Sequence, residues 1–239
     1  MKKLILILLV VCMSLSGCRN AHADHTQTST SKSETETVDT VPSDTVSGNM
    51  DSVVSEPSVT IYPLPDSTME ALDNSIFAIS LAEGDAYVDD TGAMQMDVKV
   101  YSYDRFDMVD IAGLKTGDII VTHSGEVKVS SVERNGYGTI LINGGLDNGG
   151  FDLFCDDGGV YYEVGYSDAK SWYEVGEVTL RVSADLEFRD SIDLEQGEQI
   201  YYAGSFLTGE VTDYHFTPHN TTVRTENGQI VSMERIYTP

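Results

Sequence analysis

From about Ser58 onward, apolar residues recur at every second position in short runs, and that period leaves few folds open. Over residues 94–101, Met94, Met96, Val98 and Val100 alternate with Gln95, Asp97, Lys99 and Tyr101, the pattern of a strand with one wet face. Residues 76–82 precede it, with the Asp89-Asp90-Thr91-Gly92 turn between, so the two read as an antiparallel pair. Residues 119–122, 126–132 and 139–142 are three further strands, separated by Ser124-Gly125 and Asn135-Gly136. Glycine pairs at Gly144-Gly145, Gly149-Gly150 and Gly158-Gly159 then bracket strands at 151–155 and 160–164. Strands resume at 172–175, 178–182 and 186–189, and residues 191–197 form a turn or a short helical piece. Residues 222–225 and 230–236 flank Asn227-Gly228, the pair that best tolerates the positive dihedrals of a type I′ hairpin turn. One short helix is expected near the start, opening at Asp66 or Ser67 and covering residues 69–72, with Asp66 as its cap. The pattern predicts an all-β fold, an antiparallel sandwich or small barrel of many short strands.

The amino end follows different rules. Lys2 and Lys3 precede an apolar run over residues 4–13, about half the length a membrane-spanning helix requires. Leu15-Ser16-Gly17-Cys18 follows and resembles the bacterial lipobox, in which the cysteine is lipidated and becomes the new amino terminus. The resemblance implies palmitate-type acyl chains on Cys18 and a protein held on the outer, extracytoplasmic side of the cell membrane. Residues 19–57 hold almost no large apolar side chains and are dense in Ser, Thr, Asp and Glu, so they read as a disordered tether. The expected organisation is a signal peptide over 1–18, the tether over 19–57 and a β domain over 58–239, with a possible sub-boundary near residue 184. With its lipobox and acidic tether, the chain resembles the lipoproteins of Gram-positive bacteria.

Charge narrows the partners. Residues 58–239 carry 32 Asp and Glu against 10 Lys and Arg, a balance of −22 spread along the segment. Nucleic acid is therefore excluded as an expected partner, because binding it draws on clustered positive charge. The membrane is expected to be met through the lipid anchor, and a carbohydrate or peptide ligand remains open. Of three cysteines, Cys12 lies in the leader and Cys18 is the lipid site, which leaves Cys155 alone in the folded part. It alternates with Phe151 and Leu153, so it reads as a small buried hydrophobe.

Four sets of residues are candidates for chemistry. Trp172, Tyr173, Tyr161, Tyr162, Tyr201 and Tyr202, with Tyr166, crowd one stretch of the chain and are the candidate ligand-binding aromatics. Alternation puts the two members of each Tyr-Tyr pair on opposite faces, so about half should be exposed. Ser167-Asp168-Ala169-Lys170 fits Ser-x-x-Lys and Lys115-Thr116-Gly117 fits the Lys-Thr-Gly of penicillin-recognising enzymes. The two motifs run in the reverse of that family's order, and Lys-Thr-Gly-Asp also suits a turn entering a strand. His215 and His219, with Asp213 ahead of them, could hold a transition metal, but Pro218 between them opposes the helix that would aim both rings at one ion. Asp89-Asp90, Asp147, Asp152 and Asp156-Asp157 lie beside glycine turns where calcium could bind, although Asp makes such turns unaided. Asp104, Asp107 and Asp110 read as a solvated face. The expectation is a non-enzymatic binding or envelope-associated β module without metal or cofactor. Its alternative is a wall-active hydrolase using Ser167 and Lys170, or a metal at His215 and His219.

Overall fold

The computed structural model describes residues 57–136, 138–166 and 169–238. Cys18, the leader and nearly all of the tether lie outside these residues, as do Ser167 and Asp168. In chain order the elements are β1 (Thr60–Ile61), β2 (Ile76–Ser80), β3 (Ala86–Val88), β4 (Met94–Ser102), β5 (Arg105–Asp107), α1 (Met108–Ala112), β6 (Ile119–Thr122), β7 (Gly125–Lys128), β8 (Val132–Arg134), β9 (Thr139–Ile142), β10 (Phe151–Cys155), β11 (Val160–Val164), β12 (Tyr173–Ser191), β13 (Gln199–Tyr202), α2 (Ala203–Thr208), β14 (Thr221–Glu226) and β15 (Gln229–Ile236). A 3-10 turn spans Leu146–Asn148. The chain is mostly β, with few short helices.

Five strands close on themselves. β2 pairs with β4, β4 with β12, β12 with β15, β15 with β14 and β14 with β2, which makes a barrel without a free edge in its wall. β3 extends the sheet from β4, and β13 extends it from β12. The alternation that marked residues 94–101 points Met96, Val98 and Val100 inward, where they meet Ile79, Leu180, Leu186, Phe188, Val223, Ile230 and Met233. Phe188, Phe206 and Phe216 pack ring against ring, with centroids 5.4 to 6.3 Å apart. Pairing is antiparallel in this sheet except between β12 and β15.

Strands expected separately at 172–175, 178–182 and 186–189 are one 19-residue strand. Its first half pairs with β4 and its second with β13, and it stays beside β15 with a register shift between Val182 and Glu187. Gly176 and the polar run Ser183-Ala184-Asp185 look like turns in sequence, but here they are the irregularities that bend a strand around a barrel corner. Residue 184 lies within that bend.

The short helix expected over residues 69–72 is not formed. Residues 68–71 make one hydrogen-bonded turn, in which Glu70 and Ala71 donate to the Ser67 carbonyl and Thr68 donates to Asp66. Four residues are too few to offset the cost of nucleating a helix, and Asn74, at φ 55, turns the chain away. Among the described residues the α-helices are instead α1 and α2. Asp107 caps α1 by accepting from the Val109 N–H at 2.7 Å. The terminal hairpin has positive φ at both Asn227 and Gly228, 52 and 71, as a type I′ turn needs.

Between β4 and β12 the chain leaves the barrel to build most of a second body, to which β1 adds a strand. β1, β6 and β7 form one sheet, and β5, β11, β10, β9 and β8 another. Together they enclose Ile61, Phe106, Ile111, Leu114, Ile120, Ile140, Ile142, Phe151 and Leu153. Polar side chains fasten this body to its own backbone. The buried Asp118 carboxylate accepts from the Val59 and Lys115 N–H groups at 2.9 Å, which seats the parallel strand β1 on β6. Arg134 donates to the carbonyls of Ile111, Ala112 and Leu114, closing the end of α1. A Cβ on Gly150 would stand 1.9 Å from the Ile142 carbonyl, so only glycine permits that approach. Cys155 ends β10 half-buried, and partial burial beside Asp156 and Asp157 pushes its thiol upward.

Candidate functional site

Besides residues 62–75, which lead from β1 into β2, two short segments join the barrel to the inserted body: Ser102 to Asp104 on the way out, and Ala169 to Tyr173 on the way back. They lie side by side because Tyr173 pairs with Ser102 and Lys170 reaches Tyr103. Tyr103 meets Trp172 edge-on with centroids 4.9 Å apart, and meets Tyr162 at 5.8 Å. The Lys170 ammonium lies 4.2 Å from the Tyr103 ring centre and donates to the Tyr103 hydroxyl at 3.1 Å. This amine is thus held by aromatic rings as a cation–π partner.

Beside this cluster runs an open groove of about 790 Å³, lined by Tyr166, Lys170, Trp172, His215, His219, Asn220 and Tyr237. Tyr166 is 74% exposed and Tyr237 48%. Among the hydrogen bonds of the described residues, none engages the Trp172 indole N–H, the hydroxyls of Tyr166 and Tyr237, or the imidazoles of His215 and His219. The floor is rigid by comparison. Buried Asn220 accepts from the Thr217 N–H at 2.9 Å and donates to the His215 carbonyl at 3.0 Å, while Asp213 accepts from the His215 N–H. Fixed backbone beneath exposed rings and polar tips is what a ligand site requires. A second depression, about 510 Å³ between Asp85, Asp97, Lys99, Glu177 and Thr179, differs in this respect. There Lys99 bonds to Glu174 at 3.0 Å and lies 3.3 Å from Glu177, and Thr179 donates to Asp97.

The six aromatics singled out in sequence do not share one surface. Trp172 lines the groove. Tyr173 reaches Asp66 at 3.4 Å and stacks on His123 at 4.3 Å. Tyr161 packs on the core of the inserted body, whereas its neighbour Tyr162 faces Tyr103 and Phe154. Tyr201 stacks on Phe188 in the barrel core and Tyr202 is exposed at the β13 edge. His215 and His219 both reach the groove as exposed side chains, and among the described residues no group of three His, Cys, Asp or Glu is placed to hold a metal. The turn aspartates serve their turns: Asp89 accepts from Thr91, Ala93 and Gln95, and Asp156 from Gly158 and Val160. Those bonds hold the Asp89 carboxyl far below the usual range. Tyr103, Asn220 and Tyr237 were not visible as site residues, since each gains its role only when distant segments meet.

Compared with known proteins, the chain matches no family model, no curated protein and no solved structure.

Proposed function

We propose that the chain is a lipid-anchored, extracytoplasmic lipoprotein whose β body is a binding module, taking a carbohydrate or peptide in the groove beside Trp172. The observation that carries the reading is the groove itself, where three aromatic rings and two imidazoles stand with free polar edges over a floor fixed by Asn220. Aromatic faces suit the apolar faces of sugar rings and the side chains of peptides, and the surrounding imidazole, indole and hydroxyl groups can orient either. Lipidation at Cys18 and the tether over residues 19–57 would place that groove outside the membrane. Among the described residues no helix is long and apolar enough to cross a membrane.

The test is retention of the full chain on insoluble peptidoglycan, with saccharide-only and peptide-only fragments as competitors. Trp172→Ala is expected to lower affinity by about 1–3 kcal/mol, on the scale of one lost aromatic contact in a binding centre. Equal retention of the wild type and Trp172→Ala, or no retention of either, would remove the support for this reading.

A further inference from the structure

Trp172 and Tyr173 are consecutive, as are Tyr103 and Asp104, so the seam has a second side. There Asp104, read from sequence as a solvated carboxylate, is only 3% exposed. Its Oδ2 accepts from the His123 backbone N–H at 2.7 Å and lies 3.0 Å from His123 Nδ1. That contact assigns the ring proton to Nδ1, which leaves the Nε2 lone pair facing the Ser124 hydroxyl at 2.9 Å. His123 and Ser124 form the tip of the β6–β7 hairpin, closed by Gly125 at φ 125. Tyr173 lies flat on the imidazole, 4.3 Å between centroids and 19° between planes, and fixes its tilt. Of the other charged groups facing the ring, Glu163 comes from β11, and burial pushes its carboxyl upward. Ser124 itself is exposed.

We propose that Ser124 is an acyl-accepting nucleophile, with His123 as its general base and Asp104 as the residue that positions the imidazole. The substrate class is an ester or similarly activated acyl group reaching the hairpin tip from solvent. Oγ bonds to the acyl carbon as its proton passes to His123 Nε2. The same proton then goes to the leaving alkoxide as the carbon–oxygen bond breaks. Water, deprotonated by His123, cleaves the acyl-serine, releases the acid and restores the hydroxyl. Buried Asp104 favours the protonated ring formed midway, the part a carboxylate plays behind a histidine base.

The experiment treats the full chain with a fluorophosphonate and maps the modified serine by mass spectrometry. In that reaction the Ser124 oxygen displaces fluoride from phosphorus. Ser124 is expected to label about a hundredfold faster than exposed Ser130, the scale of general-base assistance, and His123→Gln should remove that advantage. Asp104→Asn should lower the rate and Asp104→Glu should recover part of it, because a carboxylate holds the Nδ1 proton and so positions the imidazole. A loss of packing alone would not be recovered by the longer carboxylate. Ser124→Ala, an exposed change at the turn, should abolish labelling at that peptide while thermal unfolding is kept. Ser124 labelling no faster than Ser130, or labelling unchanged in His123→Gln, would overturn the proposal.

Discussion

The barrel and the inserted body reach order by different means. The barrel relies on long strands and large side chains: β12 runs 19 residues, and Phe188, Phe206 and Phe216 fill its interior. Its one deeply buried cation, Arg235, is 1% exposed, pairs with Asp190, donates to the Asp213 carbonyl at 2.7 Å and lies over Phe216. The inserted body has strands of two to five residues and leans on side chains that bond to backbone, such as Asp118, Arg134 and Asn143. Short strands give few ladder bonds, so polar side chains must complete the backbone's pairing. Polarity in the insertion therefore signals structure more often than chemistry, and the candidate site falls where the two bodies are joined.

Substitutions separate the two modes. Phe188→Ala should cost about 4 kcal/mol in urea unfolding, since it empties the centre of the barrel core. A cost below about 1 kcal/mol, the cost of a minor core trim, would mean that those rings do not hold the barrel. Arg235→Met should cost about 3 kcal/mol by stranding the Asp190 carboxylate, and adding Asp190→Leu should recover most of that loss. If the double variant is no better than the single one, the pair acts through its bonds to other groups. In the insertion, Asn143→Ala should cost about 2 kcal/mol, because Asn143 sits at φ 54, accepts from Ser130 and donates to the Lys128 carbonyl. Asn143→Gly should separate the two causes, relieving the backbone strain while losing the same bonds.

The smallest effect is one of pH. Burial raises the Glu163 carboxyl above its ordinary 4.5, so the folded state holds that proton more tightly than the unfolded chain does. Its contribution is fully present below 4.5 and fades as pH rises through the folded value. Relative to Glu163→Gln, the wild type should lose stability over that window. A flat difference between the two unfolding series would show that Glu163 is not desolvated.

Much of the fold was legible because alternation reports burial directly. The runs at 94–101, 119–122, 139–142 and 151–155 each become a strand facing a core. What could not be read was closure: one bent β12 and three separate strands have the same local pattern, and only pairing with β4, β13 and β15 distinguishes them. The Tyr-Tyr pairs split between faces as alternation requires, with Tyr201 against the core and Tyr202 in solvent. Nearness in sequence misled elsewhere, since it grouped Tyr161 and Tyr201 with Trp172 although they pack on different cores. It also separated Asp104 from His123 and Ser124, which touch because β5 and the β6–β7 hairpin end at the same seam.

Trp172 is the single tryptophan of the chain, so its fluorescence reports on the groove alone. Soluble muropeptide titrated into the full protein should shift that emission along a saturable curve, and Tyr237→Ala should weaken the curve. Emission that stays constant while the protein binds the muropeptide would place the ligand elsewhere and contradict the account.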